Sequence, residues 1–381
     1  MAVATPKTLV WDRDAHTAAK HDLLRRYLEA WTPILLQRFP RVTYAEGFAG
    51  PGIYKGGEPG SPVIALKVFL ARRDLLDAGK RLSMVLIDAD RARVQHLDKQ
   101  LSQTLTTHGR PKPATLDIRT QHGECGDVLH PELAKVAAYG QPIFAVLDSF
   151  GGPDIPFDVL KAIAFNKSSE VLVTFGTNFL TRFGDVTQHQ ASGDRAFGGT
   201  HWRAVTSQPS HAKKTFLVDA YRQTLKMAGF AHILTFEMID EAGHALFLIF
   251  GTNGPRGLEK MKDAIWKVDP IAGVSYRDPR DQAQTLLDLV AESDKPSLGR
   301  MLLTELSDRT LDVEALRQHA LFETVYRPEH VIPTVRGLIA DGTLETVPAR
   351  KGITKSTLVR RTGAEPRAVT AKAIPQTLFD L

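Results

Sequence analysis

The sequence predicts an α/β protein: a mostly parallel seven-stranded sheet with helices on both faces, then a smaller helical domain ending in a β-hairpin. Three observations predict it. Short apolar runs alternate with helical patterns over the first two thirds of the chain, the signature of a parallel sheet covered on both faces. Two runs, Met84-Val85-Leu86-Ile87 and Phe144-Ala145-Val146-Leu147, are continuously apolar, as doubly buried strands are. Near Asp278 to Gln284 the strand signals stop and helices take over.

Residues 14–39 read as a helix, because Leu23, Leu24, Tyr27, Leu28, Trp31, Leu35 and Leu36 fall near helical spacing. Arg41 to Phe48 reads as the first strand, running into a Gly/Pro-rich loop, Gly47 to Gly60. A helix is expected from Pro62 to Ala78, then a strand from Leu82 to Ile87 ending in Asp88-Ala89-Asp90, then a helix from Arg91 to His108. Further strands are expected at Leu116 to Thr120, Ile143 to Leu147, Val171 to Phe175, His232 to Glu237 and His244 to Phe250. Beyond the change of pattern, Leu298 to Leu306, Leu311 to Leu321 and Pro328 to Ala340 read as helices. Gly342 interrupts, and Thr343 to Val347 and Ser356 to Arg361 read as strands around a basic loop. Three helices followed by a hairpin is the order of a winged helix, with Val331, Val335, Leu338 and Ile339 on the inner face of its third helix. The expected domains are 1–280 and 281–363, with a flexible tail at 364–381.

Composition agrees with a two-domain globular chain: 381 residues, 43% hydrophobic and 24% charged. The one cysteine, Cys125, excludes a disulfide framework and a Cys-rich metal site within the chain, and fits a reduced thiol in the cytoplasm. No apolar run reaches the ~18 residues of a membrane span, and Met1 to Leu9 lacks the basic and apolar regions of a signal peptide. The net charge of +5 and pI near 9.2 suit a nucleic-acid partner without requiring one. The 13 histidines form no HExxH or comparable pair, and no metal site is expected.

In open parallel sheets, ligands bind beyond the carboxyl ends of the strands. Acidic residues Glu46, Asp88, Glu124 and Asp148 follow four successive strands here. The first loop reads Glu46-Gly47-Phe48-Ala49-Gly50-Pro51-Gly52, and its glycines let the backbone come close to a ligand. It lacks the GxxxxGK[ST] phosphate loop, which disfavours an ATPase, and lacks GxGxxG in its proper form. Acidic-x-Phe-x-Gly-x-Gly resembles instead the first loop of class I methyltransferases, which bind S-adenosylmethionine (SAM). A carboxylate suits a ligand carrying an ammonium and a sulfonium. Glu46, Gly47, Phe48, Gly50 and Gly52 are therefore the candidate cofactor residues of this loop. Asp88 stands where a carboxylate accepts from ribose hydroxyls, ~20 residues or more past the glycine loop; Asp90 is the alternative, or a helix N-cap. Glu124, or Asp127, lies where an acidic side chain accepts from an adenine amino group, or is a solvated loop carboxylate.

Asp148-Ser149-Phe150-Gly151-Gly152-Pro153 follows the fourth strand. It resembles the Asp/Asn-Pro-Pro-aromatic motif of amino-group methyltransferases, whose polar group holds the acceptor amine while the aromatic ring stacks on the base. Asp148 and Phe150 are thus the candidate catalytic residues, and Asp148 also faces the cofactor. Ser149 departs from the usual Pro. Asp148 to Phe157 is also similar to the corresponding loop of tRNA guanine-N2 dimethyltransferases.

The chain as a whole resembles the three-Cys-motif partner proteins, a bacterial and phage family with a class I methyltransferase-like core. The matching residues are His16-Thr17 with Lys20, Tyr27-Leu28 with Trp31, Tyr44 to Gly52 with Tyr54, Gly60-Ser61-Pro62, Asp148 to Gly151, Phe197-Gly198 with Trp202, and Met261-Lys262 with Trp266. They span most of residues 16–270, departing from the family at Glu46, where Asp is common, and at Ser149. The resemblance implies a Rossmann-like methyltransferase fold, SAM as cofactor, and a genomic neighbour with three clustered cysteines that resembles a radical SAM protein. By analogy with amino-group DNA methyltransferases, Lys20 pairs with the cofactor carboxylate, or is a surface lysine. Ser61 lines the loop or caps the helix at Pro62.

In the C-terminal domain Arg327, His330 and Arg336 are placed on the polar side of the third helix, and Arg350, Lys351 and Lys355 on the wing. A helix in a groove with a basic hairpin on the backbone would use these residues for nucleic acid. The expected function is SAM-dependent methylation of a base nitrogen in DNA or RNA. The alternatives are a small-molecule or partner-protein substrate, or a non-catalytic regulator that binds SAM or nucleic acid.

Overall fold

The computed structural model describes residues 8–149, 152, 154–166, 168–183, 186–240, 245–267, 274–277 and 296–363. Two compact units divide the chain. One comprises Met1–Leu289 with Leu321–Val325; the other comprises Val290–Ala320 with Tyr326–Leu381.

In the first unit the sequential elements are α1 (Ala15–Arg38), β1 (Arg41–Glu46), α2 (Ser61–Ala71), α3 (Arg73–Asp77), β2 (Arg81–Asp88), α4 (Arg91–Thr107), β3 (Leu116–His122), α5 (Cys125–Lys135), β4 (Ile143–Leu147), α6 (Phe157–Ala164) and β5 (Glu170–Phe175). They continue with α7 (Asn178–Phe183), α8 (Thr187–Phe197), α9 (Lys213–Ala228), β6 (His232–Asp240), β7 (Ala245–Thr252), α10 (Pro255–Ile265) and β8 (Val274–Arg277). The strand order is β3-β2-β1-β4-β5-β7-β6-β8. The first five strands are mutually parallel; β7 is antiparallel to both β5 and β6.

The mostly parallel α/β sheet is therefore present, with eight strands among the described residues where seven were expected. The eighth, β8, pairs antiparallel with the β6 edge. Its four residues carry no apolar run in the sequence, and the backbone ladder to β6 defines it as a strand. Other boundaries also move. β1 ends at Glu46 because Gly47 opens the loop, and the helix expected from Pro62 to Ala78 breaks at Arg72 into α2 and α3. β3 and β6 run two and three residues past their expected ends, while the expected start of β7 at His244 lies outside the described residues.

Two faces of the sheet bury different layers. Ala45, Val85, Ile87, Ala145, Leu147 and Val173 share one apolar core with residues of α5, α6, α8 and α9. On the other face aromatic rings dominate: Tyr27 and Trp31 of α1 meet Phe144 at 5.1 and 5.8 Å, and Tyr44 meets Phe69 of α2 at 5.6 Å. Strand order reverses between β1 and β4, which opens a crevice beyond their carboxyl ends.

The second unit has α11 (Pro296–Leu306), β9 (Leu311–Asp312), most of α12 (Val313–Glu323), a 3-10 turn (Pro328–His330), α13 (Val331–Ala340), β10 (Leu344–Val347) and β11 (Leu358–Arg361). The strands form an antiparallel sheet in the order β10-β11-β9. Leu311, expected to open a helix, instead pairs with Val359 in a two-residue strand, too short for periodicity to reveal. Val331, Val335 and Leu338 are buried, as expected for the inner face of the third helix, and Ile339 is half-buried.

Candidate functional site

The loops after β1, β2 and β4 carry the candidate site. The first follows β1. Gly47 has no room for a side chain: a Cβ there would stand 2.5 Å from Cys125 Sγ and 3.0 Å from Leu147 Cδ2. Gly50 and Gly52 adopt φ of 65° and 81°, the left-handed region open to glycine. Phe48 is half-buried and packs on the apolar core. Gly60 returns the loop, its N–H donating to Gly52 C=O at 2.8 Å.

Glu46 is 2% exposed. Tyr44 Oη donates to one of its oxygens at 2.5 Å and Ser61 Oγ to the other at 2.7 Å. Ser61 therefore serves Glu46 and makes no side-chain cap on α2. Burial pushes the Glu46 carboxyl up to about 8, against the pull of those two hydrogen bonds.

Asp88, at the end of β2, is 6% exposed. Its carboxylate accepts from Gly50 N–H at 2.8 Å and from Asp90 N–H at 2.9 Å. It thus clamps the glycine loop, and each oxygen retains a second acceptor site. Asp90 is the N-cap of α4, accepting from Ala92 and Arg93. Glu124 is exposed at the N-cap of α5 and makes no capping bond, and Asp127 is exposed in the first turn of that helix.

Asp148 follows β4. Lys20 of α1 donates to its Oδ2, and its Oδ1 is buried without a hydrogen-bond partner. Phe150, the other candidate catalytic residue, lies outside the described residues. Lys20, Glu46, Ser61, Asp88 and Asp148 are therefore all held on the crevice side of the sheet, while Glu124 stands apart in solvent.

Two residues given no role from the sequence, His21 and Trp11, also belong here, beside Tyr54, which the family resemblance includes. His21 is 8% exposed, and its Nδ1 has no partner. Burial, with the Lys20 charge beside it, holds its pKa down at about 3, so the ring is neutral at physiological pH. Its ring lies 5.5 Å from that of Tyr54. Burial and the nearby Asp148 charge raise the Tyr54 phenol well above its usual value. Trp11 packs edge-on against Tyr54 at 5.9 Å.

In the second unit Arg327 and His330 precede α13 instead of lying on it. Arg327 bonds to His330 at 3.2–3.3 Å and pairs with Glu329 at 2.5 Å. Arg336 is exposed on α13. Arg350, Lys351 and Lys355 are exposed between β10 and β11, with Arg350 donating to Thr357 Oγ1 and Lys355 standing 3.6 Å from Glu314.

Among the described residues, no group of three or more His, Cys, Asp or Glu could hold a metal ion, and no helix is long and apolar enough to cross a membrane.

The strand order defines a doubly wound α/β protein whose candidate ligand site lies at its topological switch point. No family model and no curated protein matches the sequence. Among solved structures, the chain is similar to the O-methyltransferase TomG from Streptomyces achromogenes in complex with SAM, at 16% identity over 62% of this chain and 80% of that one, with a TM-score of 0.33. It is similar to Trm1 from Pyrococcus horikoshii with S-adenosyl-L-methionine, at 12% identity over 95% and 94%, with a TM-score of 0.36. A third is precorrin-6y C5,15-methyltransferase from Geobacter metallireducens GS-15, at 8% identity over 58% and 87%, with a TM-score of 0.28.

Proposed function

We propose that the chain is a SAM-dependent methyltransferase of the class I type that modifies a nitrogen of a nucleic-acid base, and that its C-terminal unit is a winged helix supplying affinity for that nucleic acid. The observation that carries the reading is Asp148. It stands at the switch point with one oxygen held by Lys20 and the other buried and unpartnered. An unpartnered buried acceptor costs free energy unless a ligand donor completes it. A base amino or ring N–H is such a donor.

The residues present fit the cofactor. Asp88 keeps acceptor capacity for ribose hydroxyls beside the Gly50 N–H, and the Asp148 carboxylate places a negative charge near a ligand carrying an ammonium and a sulfonium, while neutral Glu46 braces the loop through Tyr44 and Ser61. SAM supplies an activated methyl group, so the protein's contribution is alignment. Asp148 Oδ1 orients the acceptor N–H and receives its proton as the new bond to nitrogen forms. Lys20 fixes the carboxylate plane and neutralises it until a ligand arrives. Neutral His21 and Tyr54 wall the site without adding charge.

On the second unit, the exposed cations Arg336, Arg350, Lys351 and Lys355 are the residues offered to phosphates. Arg327 and His330 are spent on each other and on Glu329, and contribute by shaping the turn before α13. Membership of the three-Cys-motif partner family, and with it a three-cysteine protein as a physical partner, belongs to the same proposal. Co-purification of the two proteins tests that association.

The first experiment is calorimetric SAM binding to wild type and Asp88→Ala, followed by a radiolabelled methyl screen over DNA and RNA. Binding is expected in wild type and lost in Asp88→Ala. Asp148→Ala is expected to abolish transfer while leaving SAM binding largely intact. Retained transfer without SAM binding would be incompatible with these roles.

A further inference from the structure

We propose that the segment Leu9–Asp14 roofs the cofactor crevice and that Trp11 is a cofactor-binding residue, an inference that rests on the crevice taking SAM.

The segment links the two ends of the crevice. At one end Asp14 caps α1 by accepting from Thr17 N–H at 2.6 Å. One to two turns later the same helix delivers Lys20 to Asp148 and buries His21 beside Tyr54. At the other end Trp11 reaches the glycine loop. Its carbonyl accepts from Lys55 N–H at 2.9 Å. Its ring tip lies 3.8 Å from where a Cβ of Gly50 would stand, and Gly50 N–H is the group that Asp88 holds. The Arg93 guanidinium, in the first turn of α4, lies 5.0 Å from the indole centroid. Trp11 therefore touches the loop after β1, its Tyr54 insertion and the helix after β2, while its own chain continues to Asp148.

A purely structural anchor would account for less than this. The interior tryptophans Trp31 and Trp202 are 3% and 0% exposed, whereas Trp11 is only half-buried. The ion pairs along the strap, Arg13–Glu58 at 3.8 Å and Lys55–Asp12 at 3.6 Å, are solvent-accessible and contribute little. The part of the indole that stays exposed lies beside Gly50, at the Asp88 end of the crevice, and an adenosine offers an aromatic surface of its own to cover it.

The test is titration of S-adenosylhomocysteine into wild type, Trp11→Phe and Trp11→Ala, read by calorimetry and by intrinsic fluorescence, with thermal melting as a check on folding. Wild type is expected to bind with a change in tryptophan emission. In Trp11→Phe the emission change is lost and affinity stays within roughly three-fold. Trp11→Ala is expected to bind about ten-fold more weakly. Equal affinity of Trp11→Ala and wild type would overturn the roof while leaving the cofactor reading intact. An unchanged emission response in Trp11→Phe would do the same, even if the alanine variant failed to fold. Absence of binding in wild type would overturn both.

Discussion

Glu46 makes the stability of the candidate site depend on pH in a way that can be worked out from its surroundings. Burial lifts its carboxyl from 4.5 to about 8, although Tyr44 and Ser61 both donate to it. The folded protein therefore keeps a proton on Glu46 that the unfolded chain has released. The stability contributed by the protonated acid is complete below the unfolded value of 4.5 and is lost as pH rises to about 8. One pKa unit corresponds to about 1.36 kcal/mol, so the loss is on the order of 5 kcal/mol by about pH 9. Glu46→Gln keeps a neutral group of the same shape and removes the titration. Urea unfolding of both proteins, from about pH 4 to about pH 9, should give stabilities that diverge by that amount, with wild type falling faster. Other groups titrate alike in both proteins, so the difference isolates Glu46. Parallel curves would show that Glu46 is ionised in the folded protein, and the buried-acid reasoning would fail.

Glu170, buried and bonded to Tyr27 at 2.5 Å and Thr252 at 3.0 Å, is raised by burial to about 7. The same sign applies, and Glu170→Gln should remove on the order of 3 kcal/mol of pH-dependent loss, all of it by about pH 8. Gly47→Ala places a Cβ 2.5 Å from Cys125 Sγ and should lower stability by about 1–3 kcal/mol. Adding Cys125→Ala should recover part of that loss on melting, and no recovery would mean that the Leu147 contact dominates. In the second unit, combined Arg350→Ala, Lys351→Ala and Lys355→Ala should weaken nucleic-acid binding and lower the slope of log affinity against log salt by roughly 2–3. Fluorescence anisotropy over a salt series reads both quantities, and an unchanged slope would remove the wing from the interface.

The sheet was legible because its central strands, β1, β2, β4 and β5, are buried on both faces. Runs such as Met84 to Ile87 leave periodicity little to decide, and they survive with their centres unmoved. What escaped were strands defined by long-range backbone pairing. β8 and β9 are short, and their partners lie far along the chain, Leu311 meeting Val359 and Tyr276 meeting Met238. The break at Arg72 escaped for a different reason. The expected helix is continuous in its apolar pattern, and only the backbone shows Arg72 leaving helical geometry at φ −103° and ψ 34°.

The candidate site was legible where chemistry recurs at strand ends, and less so where a side chain acts through another. Glu46, Asp88 and Asp148 were found by position, but their partners were not: Asp88 turns inward to the Gly50 N–H, and Glu46 to Tyr44 and Ser61. Lys20 and Asp148 are 128 residues apart, and neither motif names the other. A signal for the pair does exist in α1. Lys20, Leu24, Tyr27 and Trp31 follow the spacing i, i+4, i+7, i+11, and the last three bury their side chains against the sheet. A cation that continues an apolar stripe toward the carboxyl ends of the strands must meet an anion there or go unpaired, since an isolated buried charge costs several kcal/mol. The stripe thus points Lys20 at the crevice before any contact is known, and Asp148 is the acid at the end of the strand that this helix crosses through the Phe144 ring. Trp11 has no such register. It precedes the helix, belongs to no periodic face, and becomes readable only when the folded chain brings it over Gly50.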